Sequence, residues 1–347
     1  PALAAARFDR QLDTAWRRLS YSALTAGTHE ARAAGPAAGG DPDEHPLDDE
    51  RTPGPPVDAS GEADSALQVA SPMVDLPSGT AFGIVVHDLL EHADTSAPDL
   101  EAELIGRAHD VLAGRPASGL DPEALGRALV PAMQTPLGPV AGASSLRDIP
   151  PGDRLAELAF ELPLAGGDHP TGTEATMRAV AGLLRDRLPP DDPLAAYPDL
   201  LADLPQHRLR GYLTGSLDSV LRLSADGRPR YLVADYKTNW LGESWPGSGE
   251  PLTAWHYRPD ALRAAMLEAH YPLQALLYLV ALHRYLIWRQ PGYDPDVHLG
   301  GALYLFVRGM CGPSTPTVDG APCGVFGWQP PPGLVPALSG LLAGGAA

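Results

Sequence analysis

Asp235 and Lys237 stand two residues apart in the stretch "YLVADYKTNWLG", and Asp218 lies upstream in "GSLDSV". The chain has 25 basic residues; Lys237 is its one lysine and the remaining 24 are arginines. Arginine is a planar fork that stays protonated. Lysine is a compact ammonium on a thin stem that can approach a single oxygen. Keeping the one lysine beside aspartates points to a site that needs a point cation. In a strand, residues two apart face the same side, so Asp235 and Lys237 share a face and Tyr236 takes the other. Two adjacent carboxylates repel unless a cation sits between them. Mg²⁺ takes one or two protein carboxylates and fills its octahedron with water and phosphate oxygens. Water held by such an ion is easier to deprotonate and can attack phosphorus. An ammonium beside it can orient that water or stabilise the developing negative charge. The competing reading is a surface salt bridge, because D-x-K tripeptides are common. An aspartate in a paired strand, Asp218, favours the metal site.

These residues need a hairpin to bring them together, and the sequence supplies one. "RLRGYLTGSLDSVLRL" and "RPRYLVADYKTNW" are apolar runs separated by "SADG", a Gly-containing turn. Pairing across it can bring Asp218 close to Asp235 and Lys237. Upstream, helical spacing predicts a helix over about Ala4–Leu24, with Phe8, Leu12, Trp16 and Leu19 on one face. A second helix starts near Thr80. Its apolar face is Phe82, Val85, Val86, Leu89 and Leu90, with Ile84, His87 and Glu91 on an adjacent stripe. Further helices are expected over about Asp99–Ala113, Pro122–Met133, Thr171–Leu188, Asp260–Gln290 and Gly333–Leu342, with Pro272 kinking or restarting the long one. Strands are expected over Arg154–Leu164 and Val297–Gly309. This order predicts an α/β fold with a mixed central sheet flanked by α-helices.

Composition narrows the setting. At 347 residues the chain can hold one large domain or two small ones. It has no run of 18 apolar residues, so no membrane span is expected, and no signal peptide is evident. Cys311 and Cys323 are too few for a disulfide framework or a four-cysteine metal site, which makes a reducing cytoplasm the expected location. The chain begins without Met, which leads us to expect a piece of something longer. The net charge is −18. Between Asp41 and Asp64, nine acidic residues and Arg51 contribute −8, which leaves −10 elsewhere. That Pro-rich acidic segment reads as a disordered linker. The expected division is residues 1–24 as an N-terminal helix and junction, 25–70 as the acidic linker and 71–347 as the main domain. Bulk electrostatics do not attract a polyanion, so DNA would have to be delivered by a local patch or a partner.

The combination of "GYLTGSLDSVLRL…YLVADYKTNWLG", "YPLQALLYLVALHRYL" and "GGALYLFVRG" resembles the RecB-type nuclease-domain family. That family sits within the PD-(D/E)xK, or restriction-endonuclease-like, superfamily. The resemblance runs from "WRRLSYSAL" to the end, apart from the acidic insert. It implies a restriction-endonuclease-like sheet and Mg²⁺-dependent DNA hydrolysis with one or two ions. Asp218 and Asp235 resemble the family's metal-binding aspartates, and Lys237 its catalytic lysine. His87 in "GIVVHDLLE" resembles a histidine that contributes to the metal site, and the Tyr236 carbonyl a further ligand. Glu157 resembles an acidic residue near the metal. Glu161 is a rival, because both point the same way on the strand; the offset from Pro163 favours Glu157. Gln274 and Tyr278 match a Q-x-x-x-Y helix motif, four apart on one face; for Tyr278 in particular, simple packing is the competing reading. The implied partners are single-stranded DNA fed by a helicase, RecC-like and RecD-like subunits, and RecA. No helicase G-x-x-x-x-G-K-[ST] is present. The alternative is a catalytically silent docking module for a recombinase or partner subunits, against which the retention of every family site residue argues.

Overall fold

A computed structural model describes residues 16–30, 65–115, 119–142, 144–165, 175–204, 208–225, 227–243 and 251–345. The acidic segment Asp41–Asp64 lies outside these residues, as does the start of the first expected helix.

The fold is mixed α/β. A six-stranded sheet has the order β1-β5-β6-β7-β10, with β2 also pairing β5. Its strands are β1 (Arg17–Leu19), β2 (Arg154–Pro163), β5 (Gly211–Ala225), β6 (Arg228–Lys237), β7 (Leu299–Phe306) and β10 (Val325–Trp328). Two small two-stranded sheets join β3 (Ala175–Thr176) to β4 (Arg208–Leu209), and β8 (Thr317–Val318) to β9 (Ala321–Pro322). β1 runs parallel to β5 and β6 parallel to β7; the other pairs of the large sheet are antiparallel.

Alternation along β6 separates two cores. Leu232, Ala234 and Tyr236 pack with α2 (Thr80–His92), α3 (Leu100–Ala113) and α4 (Pro122–Gln134). Val233 points the other way. It joins Tyr304 and Phe306 of β7 against α7 (Pro259–Glu268), α8 (Tyr271–Arg289) and α10 (Leu334–Leu342). Each leucine buried this way contributes about 1.5–3 kcal/mol over leaving it exposed. α1 (Tyr21–Glu30), α5 (Met177–Arg187) and α6 (Tyr197–Asp203) extend the second layer, and α9 (Pro295–His298) leads into β7. The helix starts follow local chemistry. Asp99 and Asp121 accept from the amides of Ala102 and Ala124, and Pro122 opens α4. The long helical region is two helices, bent by 83° between Glu268 and Tyr271. His270 takes a left-handed conformation there and Pro272 restarts the helix.

Two boundaries differ from the sequence reading. Within the expected Ala4–Leu24 helix, Arg17–Leu19 form a strand and the helix begins only at Tyr21. An available edge of β5 competes for this backbone and wins. Gly211 makes the contact possible: at φ +103 it lies so close that an added Cβ would sit 2.1 Å from the Arg17 carbonyl. The helix expected from Thr171 starts at Met177, capped by Thr176; residues 171–174 lie outside the described ones. Farther on, residues 65–70 pack against the main body, with Leu67 buried and Ala70 bridged to Thr253.

The arrangement around β5 positions everything that follows. β2 covers one edge of β5 along its length, from Arg154 opposite Leu221 to Pro163 opposite Tyr212. The other edge is divided: β1 takes Gly211–Leu213 and β6 takes Ser219–Ala225. Thr214–Asp218 have no strand on that side among the described residues. Beyond Ala234, β6 leaves β5 and pairs only with β7. The two strands fork, and the gap between them opens a cleft of about 890 Å³.

Candidate active site

Asp218, Asp235 and Lys237 meet at this fork. Asp218 ends the unpaired stretch of β5, and Asp235 and Lys237 are on the diverging end of β6. One oxygen of Asp218, Oδ2, accepts from the Tyr236 amide at 2.9 Å and lies 3.3 Å from His87 Nδ1. Lys237 Nζ lies 3.0 Å from Asp235 Oδ2. α2 brings His87 to the cleft on the stripe beside its apolar face. The His87 ring also meets the Tyr236 ring edge-on, at 6.2 Å.

Glu157, Glu161, Gln274 and Tyr278 line the same cleft, so every expected site residue converges there. The two glutamates differ in surroundings. Glu161 is paired with Arg18 at 3.1 Å and stands opposite Thr214. Glu157 falls opposite Asp218, between the pairs Ala156–Ser219 and Leu158–Leu217. Its φ is +45, a left-handed conformation that strains a side-chain-bearing residue. Leu217 and Val220 are three apart, yet both enter the α8-side core. In a regular strand they would face opposite ways. The alternation is therefore reset between them, beside Asp218 and across from Glu157. Gln274 donates through Nε2 to the Tyr278 hydroxyl at 3.1 Å, and its Oε1 accepts from the Tyr304 hydroxyl at 3.1 Å. Tyr278 also packs edge-on against Phe160.

Electrostatics couple these groups. Burial opposes a charged His87 ring, but Asp218, helped by Asp235, outweighs it and raises its pKa to about 9. Burial raises Asp235 to about 6, with Lys237 pulling down and Asp218 pushing up. Burial also disfavours the charged form of Asp218; His87, the Tyr236 amide and Lys237 prevail and hold it below the ordinary carboxylate range. Glu91 is raised by burial and then by its hydrogen bond to Glu157.

Four participants were not singled out by the sequence reading. The Tyr271 ring lies 4.1 Å and the Tyr304 ring 5.7 Å from Lys237 Nζ, giving the ammonium aromatic faces. The Asn239 amide donates to the Tyr271 hydroxyl at 3.1 Å. Glu91, one turn beyond His87, reaches Glu157. Spacing could have flagged Glu91, already on the His87 stripe. The aromatic faces come from two distant elements and leave no local signal.

The donor chemistry suits a hard cation. Asp235 is buried, with its Oδ2 3.0 Å from the Lys237 ammonium, and burial still raises its pKa, so a further cation would stabilise its charged form. A second carboxylate and an imidazole stand beside it. Among the described residues no three His, Cys, Asp or Glu side chains form a ready-made metal cluster. His87 is turned onto Asp218 instead. No single described helix is long and apolar enough to cross a membrane. α7 and α8 together have the composition, but they are sharply bent and α8 is largely core.

No protein-family model matches the chain. It is 50% identical over 342 residues, 98% of its length, to the RecBCD enzyme subunit RecB of Mycolicibacterium smegmatis. It is 49% identical to RecB of Mycobacterium tuberculosis H37Rv across 99% of its length, and 29% identical to RecB of Escherichia coli K12 across 83%. It spans about 30% of the length of the mycobacterial relatives. With a mixed sheet flanked by helices and a cleft at the strand fork, the chain is similar, over nearly its whole length, to one segment of the RecB subunit of the RecBCD enzyme.

Proposed function

We propose that the chain is the Mg²⁺-dependent deoxyribonuclease domain of a RecB-type repair helicase–nuclease, acting on single strands fed to it by the helicase. The observation that carries this reading is the convergence of His87, Asp218, Asp235 and Lys237 at the β5–β6 fork, with the Asp235 carboxylate buried against the Lys237 ammonium. Asp218, Asp235 and His87 would hold the ion, with the Tyr236 carbonyl and Glu157. When bound, Mg²⁺ neutralises phosphate charge and lowers the pKa of its water. Lys237, held against Asp235 and the Tyr271 ring, places a positive charge where the phosphorane develops negative charge. Gln274 and Tyr278, hydrogen-bonded to each other with Gln274 also accepting from Tyr304, line the same cleft and orient the strand. The relatives are named as subunits of RecBCD, which supports RecC-like and RecD-like partners for this chain. A docking role towards RecA is compatible with the same reading.

The test is cleavage of end-labelled single-stranded DNA with Mg²⁺ or EDTA, beside Lys237→Ala. The expected result is Mg²⁺-dependent cutting that the substitution abolishes. A folded wild-type chain that neither cuts nor takes up metal would overturn the proposal and favour the docking module.

A further inference from the structure

Arg308 follows β7 in a short 3-10 turn, Val307–Gly309, and is 0% exposed. Its Nε donates to the Thr238 carbonyl at 2.8 Å. Its Nη1 donates to the carbonyls of Met73 at 3.0 Å and Leu76 at 3.3 Å, and its Nη2 to that of Pro77. The guanidinium lies 4.6 Å from the Phe82 ring centroid and 5.3 Å from that of Trp240. Its own carbonyl accepts from Ser71 Oγ at 2.6 Å.

One side chain thus grips two stretches that are far apart in sequence. Residues 71–77 lead into α2, which carries His87. Thr238 is the residue after Lys237. No side chain caps α2, whose N-cap is Gly79, and Arg308 fixes the carbonyls of the segment that leads into it rather than its open amides. Packing alone does not explain an arginine here. A buried guanidinium is costly to desolvate, and well-packed apolar residues commonly replace buried charges with no loss of stability. An apolar residue cannot hold four carbonyls from two segments at fixed distances.

We infer that Arg308 is a positioning residue that holds α2, and with it His87, in place against the end of β6 that carries Asp235 and Lys237. The inference rests on the proposed role of His87 as a ligand. Arg308 itself touches no reacting group.

The experiment uses the whole chain and Mn²⁺ as probe, with Arg308→Met, Arg308→Lys, His87→Ala and the double variant His87→Ala/Arg308→Met. Mn²⁺ affinity and backbone amide exchange are measured together. Arg308→Met is expected to weaken Mn²⁺ binding by about 10-fold or more, as loss of an outer-shell partner does. Arg308→Lys is expected to recover part of that loss. The double variant is expected to bind no more weakly than His87→Ala alone, because both act through one ligand. Exchange is expected to rise in α2 and at residues 238–241, and to stay unchanged in α3. Additive losses of affinity, or unchanged α2 exchange in Arg308→Met, would overturn the inference. If the wild type takes up no Mn²⁺, the metal reading fails and the exchange comparison alone decides the role of Arg308. If Arg308→Met does not fold, Arg308→Lys carries the same measurements.

Discussion

Glu157 stands directly across the β2–β5 ladder from Asp218, at the point where its backbone turns left-handed and the strand's facing is reset. A non-glycine residue at positive φ costs about 1–2 kcal/mol. Such strain persists where the surrounding structure holds it and a function uses it.

Glu157→Gly and Glu157→Ala separate these two contributions. Both remove the carboxylate and are expected to reduce cleavage to a similar extent. Only glycine relieves the backbone, so Glu157→Gly should be more stable than Glu157→Ala by about 1 kcal/mol. Denaturant melts of the two variants check this, and equal stability would contradict the strain argument.

Lys237→Arg tests why this one position escaped arginine. The ammonium fits between Asp235 and the Tyr271 ring at 4.1 Å, a space matched to a point cation. The substitution keeps the charge but misplaces it. We expect kcat to fall by about 10²-fold or more, in the range seen when one transition-state donor is lost. Retained activity would show that charge alone suffices.

The His87 pair predicts a proton-linked metal affinity. In the metal-free protein His87 is raised to about 9 by Asp218 and is protonated at pH 7.5. The folded pKa exceeds the unfolded one, so its stabilisation is complete below about 6.5 and is lost as pH rises through 9. A ligand nitrogen must be neutral, so metal uptake should release a proton and tighten as pH rises towards 9. Calorimetry in buffers of different ionisation enthalpy measures the release, and His87→Asn should abolish it. An unchanged proton count in that variant would remove His87 from the ligand set.

The cleft should bind DNA poorly without metal. Asp88, Glu91, Glu157, Glu161, Asp218 and Asp235 line it against Arg18, Arg115, Lys237 and the protonated His87, each of which is already paired with a carboxylate. In EDTA at physiological salt, single-stranded DNA is expected to bind no tighter than about 10⁻⁶ M, the non-specific range. Fluorescence anisotropy with a labelled oligonucleotide tests this, and nanomolar binding would contradict it.

How much of this was legible in the sequence follows the range of the interactions. The β5–β6 hairpin, the shared face of Asp235 and Lys237 and the His87 stripe of α2 rest on periods of 2 and 3.6, which neighbouring residues encode. In the N-terminal segment Trp16 and Leu19 fit a helical face, and nothing local reports that a β5 edge is free to pair with Arg17–Leu19. The rings around Lys237 leave no local signal for the same reason. Tyr271 and Tyr304 lie 34 and 67 residues after it, and only the packing of α8 on β7 brings them together.

β1 has a practical consequence for anyone trimming the chain. Starting at residue 71, where the sequence suggests the main domain begins, would delete the strand that covers Gly211–Leu213. Among the described residues, the stretch without a strand on that side would then run from Gly211 to Asp218, a length of edge open to another molecule's strand. A shortened version of this protein should therefore keep Trp16 onward, or expect self-association at the mouth of its own cleft.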